Sequence, residues 1–393
     1  MKTVFKNLRY IDVKEERVIE DGLIIIEDGR IEYAGDAEKG QGADGEIIDL
    51  EGMTLLPGLV DGHIHSLFDA SSDPFGSLAE DSASLITIKA VSFMEETVRN
   101  GIVAVRDMGG LDYLEFGLKE SIDNGLIAGP EMQLAGKLIT MTGGHGHFIG
   151  REVDSPAEAR KAAREQLKAG VDFIKIMATG GVMTEGVEPG APQLTEEEMA
   201  AAIAEAHKAG RKTASHAKGT DGIENAIRAG IDSIEHGVFL DDEAIELMLE
   251  NEVYLVPTLA AVHCIVEEGV EAGIPEFAVK KSEAVMESHI RSFQMAREAG
   301  VKIAMGTDAG TPLNIHGNNL YEIELMVEYG MEPLEAIRAA TVTGAEMLEL
   351  DDKLGTLESG KAAHFVVIDG KPDQDIRDIY NVKQVYKDGR QVR

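Results

Sequence analysis

One punctuation mark recurs four times along this chain. A helical stretch ends in a charged residue, Ala-Gly follows, and an apolar strand opens: "LKAGVDFIKIM", "HKAGRKTASHA", "IRAGIDSIEHG" and "REAGVKIAMGTD". A glycine just past a helix stops it, and Lys or Arg near the end suits the helix dipole in three of the four. Helix starts are marked as well. In "SPAEA", Ser155 is the N-cap, Pro156 takes the first helical position and Glu158 the third; Thr195 and Glu198 make the same pattern in "TEEE". Serial alternation of strand and helix calls for parallel strands. Candidate strands lie around "GLVDGHIH", "VAVRDMG", "MQLAGKLIT", "FIKIMATGG", "TASHAKG", "DSIEHG", "VYLVPTL" and "KIAMGTDAG". This count predicts an α/β (β/α)8 TIM barrel, whose chemistry sits at the C-terminal ends of the strands; a doubly wound sheet is the alternative.

The two ends of the chain read differently. "RVIEDGLIIIEDGRIEYAG" carries two Asp-Gly turns between β-rich runs, and the last stretch has the same texture. Residues 1–57 and 358–393 are therefore expected to pair into one small β-sandwich domain, docked on a barrel of residues 58–357. No low-complexity linker separates the two, which implies tight docking.

Composition narrows the function classes. With 393 residues, 44% of them hydrophobic, the chain can bury a large core. Its formal charge is −34, from 71 acids against 37 bases, so the basic footprint of a nucleic-acid or anionic-membrane binder is missing. A single cysteine, Cys264, forbids an intrachain disulfide and fits a reducing compartment. The N-terminal stretch lacks an apolar run fit for a signal peptide, and no stretch approaches membrane-spanning length. The expectation is a soluble cytoplasmic protein acting on a small molecule, with neither nucleic acid nor membrane as partner.

The polar residues at the strand ends carry the chemistry. His63 and His65 are two apart in a strand, so both imidazoles face one side. Lys175 sits inside "FIKIMATGG", where burial of both faces would make it a buried amine, costly unless paired, neutral or chemically changed. His216, His236 and Asp308 close three further strands. Imidazole and carboxylate are standard ligands of zinc-type ions, and the set points to a metal site more strongly than any member does.

"PGLVDGHIH", "FIKIMATGG", "SHA", "IEHG" and "GTDAG", in this order, resemble the amidohydrolase superfamily. "ITMTGGHGHFIG" and "GTDAGTPLNIHGNN" narrow the resemblance to its imidazolonepropionase-related branch, with Xaa-Pro dipeptidase-like and carboxypeptidase-like enzymes. The resemblance covers nearly the whole chain. It implies two divalent metals, Zn first, with Mn, Fe or Co also admitted by the ligands. It implies that Lys175 is carboxylated by CO2 to a carbamate bridging both metals, one held also by His63, His65 and Asp308, the other by His216 and His236. A barrel lysine salt-bridged to Asp308 is the plain alternative. The implied mechanism is attack by a metal-bridging hydroxide, with Asp308 as general base and then acid, without a covalent intermediate. A homo-oligomer is common among such relatives.

Substrate selection is less legible. By family resemblance, the glycine-rich loop of His145 and His147 touches the substrate. Lys218 stands where relatives often carry a tyrosine, two residues after His216, and could meet a substrate carboxylate as a point charge. Arg106 is either a second carboxylate anchor or an ion pair with Asp107. His316 is a candidate for the pocket rim. His207, His263 and His289 fall on helical stretches and read as structural or exposed, and Cys264 as a core residue. His364 replaces an acid common in the family, in the terminal β-domain. The expected activity is amide hydrolysis in dipeptides or N-acyl amino acids with a free carboxylate. A cyclic-amide or lactam hydrolase is the alternative, and a non-catalytic homologue a third.

Overall fold

The computed structural model describes residues 2–40 and 44–393. The helix Pro156–Ala169 starts on the Ser155 cap and stops at Gly170, whose φ of 99° only glycine adopts freely. The helix Glu196–Lys208 opens with the Thr195/Glu198 capping box. Strands follow both at once, Phe173–Met177 and Lys212–Ala217, and pair in parallel. The same alternation continues through Ser233–His236 and Tyr254–Val256. On the other side, Leu59–Ile64, Ile102–Asp107 and Glu131–Leu134 form a second parallel run.

Two strands depart from the expectation. "MQLAGKLIT" breaks in the middle: Glu131–Leu134 pairs with Ile102–Asp107, whereas Leu138–Thr140 meets Phe173–Met177 through Ile139 and Ile176. The left-handed Gly136 makes the break. The last element is not a regular strand. Residues 302–309 bond through Lys302 and Ala304 to Leu255 on one side, and through Met305, Asp308 and Ala309 to residues 62–65 on the other. This closes the barrel. A Cβ on Gly306 would lie 2.9 Å from that of His63, so only glycine lets the closing segment come this near.

The termini form a separate sheet. Its order runs Arg390–Gln391, Val382–Lys387, Phe365–Ile368, Thr54–Pro57, Lys2–Asp12, Arg17–Glu27, Arg30–Asp36, with Glu46–Asp49 also on Lys2–Asp12. The molecule is thus a TIM barrel with a small β-sandwich domain built from both chain ends. Only one of the two Asp-Gly pairs turns: Asp28-Gly29, both with positive φ. Asp21-Gly22 lies inside Arg17–Glu27, where Gly22 pairs across a register break with Leu8 and a Cβ would strike the Leu8 side chain. Phe5, Phe365 and Tyr386 pack ring on ring in this domain, with centroids 4.5–5.1 Å apart. Val366, Ile368 and Val385 continue the barrel core, which makes the docking tight. His364 accepts from the Asp388 amide within the small domain. No helix among the described residues is long and apolar enough to cross a membrane.

Candidate metal centre

The strand ends converge. His63 and His65 come off one strand on one side, and their Nε2 atoms lie 3.3 and 3.4 Å from Asp308 Oδ1. Ligand atoms of these three residues all fall within 4.8 Å of one another. His216 Nδ1 lies 2.9 Å from His236 Nε2, and the His63 and His236 rings are 5.2 Å apart. His236 and Asp308 have φ of 74° and 60°, a conformation that costs non-glycine residues energy and collects at functional sites.

Ring tautomers follow from their partners. His63 Nδ1 faces Glu235 Oε2 at 2.8 Å, and His65 Nδ1 faces the Gly109 carbonyl at 2.9 Å. Both partners only accept, so Nδ1 carries the proton and each Nε2 offers a lone pair to the centre. Burial and the neighbouring cationic groups hold His216 and His236 well below the ordinary histidine range, hence neutral, as ligands must be.

Lys175 lies at the bottom of this group. Its Nζ is buried and has no hydrogen-bond partner among the described residues. The salt-bridged alternative with Asp308 is not formed. Burial brings the amine down to about 8, far below a surface lysine. Asp308 Oδ1 and His216 Nε2 are also unpartnered. An amine, a carboxylate oxygen and an imidazole nitrogen, all buried and unsatisfied, beside the remaining imidazoles, are a donor set that divalent ions and a carboxylated lysine would satisfy.

Beneath the histidines runs a buried ion pair that the sequence reading missed. Arg106 donates to Glu235 Oε1 at 2.8 Å, to Ser233 Oγ at 3.1 Å and to the Gly62 carbonyl at 2.8 Å. Each of its three nitrogens is engaged beneath the cavity, so it is neither a substrate anchor nor the partner of Asp107, which instead accepts from Ser66 and Gly109. Burial raises the Glu235 carboxyl, but Arg106 and His63 outweigh it and hold the group down at about 2. The available signal was a carboxylate inside an apolar strand, two residues after Ser233. Glu235→Gln keeps the shape and removes the charge that orients His63. We expect metal affinity to fall about 10–100-fold, as read by titration against a metal buffer. Unchanged affinity would remove Glu235 from that role.

Above the centre is a narrow cavity of about 60 Å³. A groove of about 690 Å³ bordered by Arg30, Leu126 and Lys387 lies elsewhere, away from the strand ends. His145 lines the cavity, its Nδ1 2.8 Å from Thr184 Oγ1 and its amide bonded to Gln193. Burial, with Lys218 nearby, pushes it down to about 3. Lys218 also lines the cavity, 3% exposed, with no partner for its Nζ among the described residues, and burial lowers it to about 8. Two expected contacts do not reach the cavity. His147 is exposed on the turn His147–Ile149, its ring against Phe148. His316 lies behind the wall, with Nε2 3.0 Å from the Phe68 carbonyl and its ring stacked on Phe93. Phe68, Phe75 and Phe148, which line the opposite side, were not singled out from sequence. Isolated phenylalanines in loops and short helices give no periodic signal.

His207 is exposed and paired with Asp232, His263 meets the Tyr329 hydroxyl, and His289 meets the Pro257 carbonyl. Cys264 is buried, and burial pushes its thiol up to about 12, which leaves it inert as a nucleophile.

Fold and site together give a barrel with a candidate metal-ligand set at its strand ends, and residues 54–392 match the model of the Amidohydrolase family. The chain belongs to that family and is an enzyme of the amidohydrolase type. Over its whole length it resembles a solved structure described as a Xaa-Pro dipeptidase with bound methionine, at 35% identity and a TM-score of 0.91, covering 99% of that chain. It is 30% identical to ochratoxinase of Aspergillus niger over 363 residues, 84% of this chain and 73% of the relative. It is 23% identical to imidazolonepropionase of Streptococcus sanguinis, over 92% of this chain and 86% of that one.

Proposed function

We propose that this enzyme hydrolyses the amide bond of dipeptides or N-acyl amino acids that carry a free carboxylate. The reading rests above all on Lys175, a buried amine without a partner, set among four histidines and Asp308. His63, His65 and Asp308 would hold one divalent ion, His216 and His236 a second, and Lys175, as its carbamate, would join them. Zn, Mn, Fe and Co all suit these ligands. Such ions supply Lewis acidity toward the scissile carbonyl and ease deprotonation of water.

The chain's own groups do the rest. Asp308 Oδ1 takes the proton of the attacking water and returns it to the leaving nitrogen. The neutral His145, fixed by Thr184, donates or accepts at the substrate from the opposite side. Lys218 faces the cavity with an unspent charge and meets the carboxylate. The similarity to a protein described as a Xaa-Pro dipeptidase supports a peptide-like substrate.

Amine release from a panel of dipeptides and N-acyl amino acids, with metal content assayed on the same sample, tests the reading. Turnover confined to substrates with a free carboxylate is the expected result. Turnover of lactams and cyclic amides only, at full metal content, would replace it with the cyclic-amide alternative. Lys218→Ala is expected to raise KM about 10-fold or more for carboxylate substrates, the loss of one buried charge-assisted contact. Their carboxamides should suffer less; an equal effect on both would take Lys218 out of this role.

A further inference from the structure

The proposed reading leaves two substrate types open, and the cavity distinguishes them. The α-ammonium of a free dipeptide stands one carbon from the scissile carbonyl, so it must enter the cavity together with that carbonyl. It would find no uncommitted anion there. Among the described residues Asp308 is the single carboxylate lining the cavity, and the proposed function assigns it to the metal centre. Lys175 and Lys218 line the same space; as its carbamate Lys175 belongs to the two ions, which leaves Lys218 as the free charge beside them. The acids of the overhanging loop, Glu185 and Glu188, do not line it. The loop is itself tied down from outside by Lys281, which donates to the Thr184 and Val187 carbonyls. A buried ammonium without a free counter-charge, beside the Lys218 cation, is strongly disfavoured.

What the cavity does offer the acyl side is an apolar wall. The His65 ring lies flat on Phe68, with centroids 4.6 Å apart and planes at 13°. Phe68 meets Phe75 edge-on at 5.2 Å, and Phe75 meets Phe148 at 4.6 Å. The rings form a continuous track from a proposed metal ligand to the surface, where Phe148 is 39% exposed. Met183 and Val182 border the cavity from the overhanging loop. Lys218 follows His216, whereas the track starts at His65, on a different strand end. A substrate spanning the centre with its carboxylate at Lys218 would therefore direct its acyl group onto the rings.

Resting on the proposed function, we infer that the preferred substrates are N-acyl amino acids with a bulky apolar acyl group and no charged amino group, rather than free dipeptides. The reaction balances simply. Water oxygen bonds to the acyl carbon, the C–N bond breaks, and a water proton passes to the nitrogen, giving an apolar carboxylic acid and a free amino acid.

The decisive comparison uses 3-phenylpropanoyl-Ala and Phe-Ala, which differ only in the α-ammonium, with acetyl-Ala as the small acyl reference, all on the metal-loaded protein. kcat/KM for 3-phenylpropanoyl-Ala is expected to exceed that for Phe-Ala at least about 10-fold, and acetyl-Ala by a similar factor. Phe148→Ala, at an exposed position where folding is not at stake, should shrink the second ratio. Phe-Ala turned over as fast as or faster than its des-amino analogue would overturn the inference and leave the proposed function standing. An undiminished second ratio in Phe148→Ala would overturn the assignment of the ring track to the acyl group. If none of the three is hydrolysed while a lactam is, the proposed function itself falls, and this inference with it.

Discussion

Lys175→Ala is expected to lose nearly all turnover, on the order of 10³-fold or more, the scale seen when one electrostatic element of a catalytic centre is removed. The cause is specific. The amine has no structural partner in the described residues, so its removal breaks no hydrogen bond. In the proposed centre it is the one group shared by both ions, so its loss should cost metal as well as rate. The fold should survive, since the strand Phe173–Met177 is held by backbone pairing with Lys212–Ala217 and by its apolar neighbours. Lys175→Met separates the two effects by keeping the volume. In metal-free protein it removes a buried, unsatisfied amine and should stabilise the fold by about 1–3 kcal/mol. Metal analysis, turnover and thermal unfolding of both variants give the answer. A Lys175→Ala protein with two bound metals and full rate would sink the bridging role.

Asp308→Asn is expected to lower kcat by about 10²–10⁴-fold, the range of a lost acid–base group, while retaining metal better than activity. Asparagine keeps the size and one oxygen near His63 and His65, so part of the ligand geometry persists. It cannot accept the water proton and pass it on. Burial works against the charge on Asp308, but His63, His65 and Lys175 outweigh it and hold the carboxyl below the usual aspartate range, so at neutral pH it is ionised, the form that can accept a proton. Metal content and single-turnover rates measured side by side separate the roles. A parallel loss of metal and rate would make Asp308 a ligand only.

Much of this was written in local patterns. Helix caps at Ser155 and Thr195, and the glycine stop at Gly170, depend on residues within a turn of one another, and all three form in the structure. The period-two spacing of His63 and His65 likewise puts both rings on one side through strand geometry alone. The broken third strand and the irregular closing segment were not legible. Their form depends on Gly136 fitting beneath the Tyr113, Gln166 and Val171 side chains and on Gly306 fitting against Val256 and His63.

The parts that were misread share a cause. Arg106 read as a carboxylate anchor or as an ion pair with its neighbour Asp107, but its partner Glu235 lies 129 residues away. Glu235 also holds His63, across 172 residues. His316 sits next to a legible motif, and only its packing against Phe93 and Phe68, both distant along the chain, keeps it out of the cavity; His147 stays exposed on the turn His147–Ile149. The sequence by itself determined the serial βα architecture and the candidate ligand set, because caps, periodicity and strand-end placement are properties of neighbouring residues. Only the tertiary structure decided which buried charges are spent on each other, which remain free in the cavity, and where the aromatic wall stands, because these are contacts that chain closure makes between residues with no local relation.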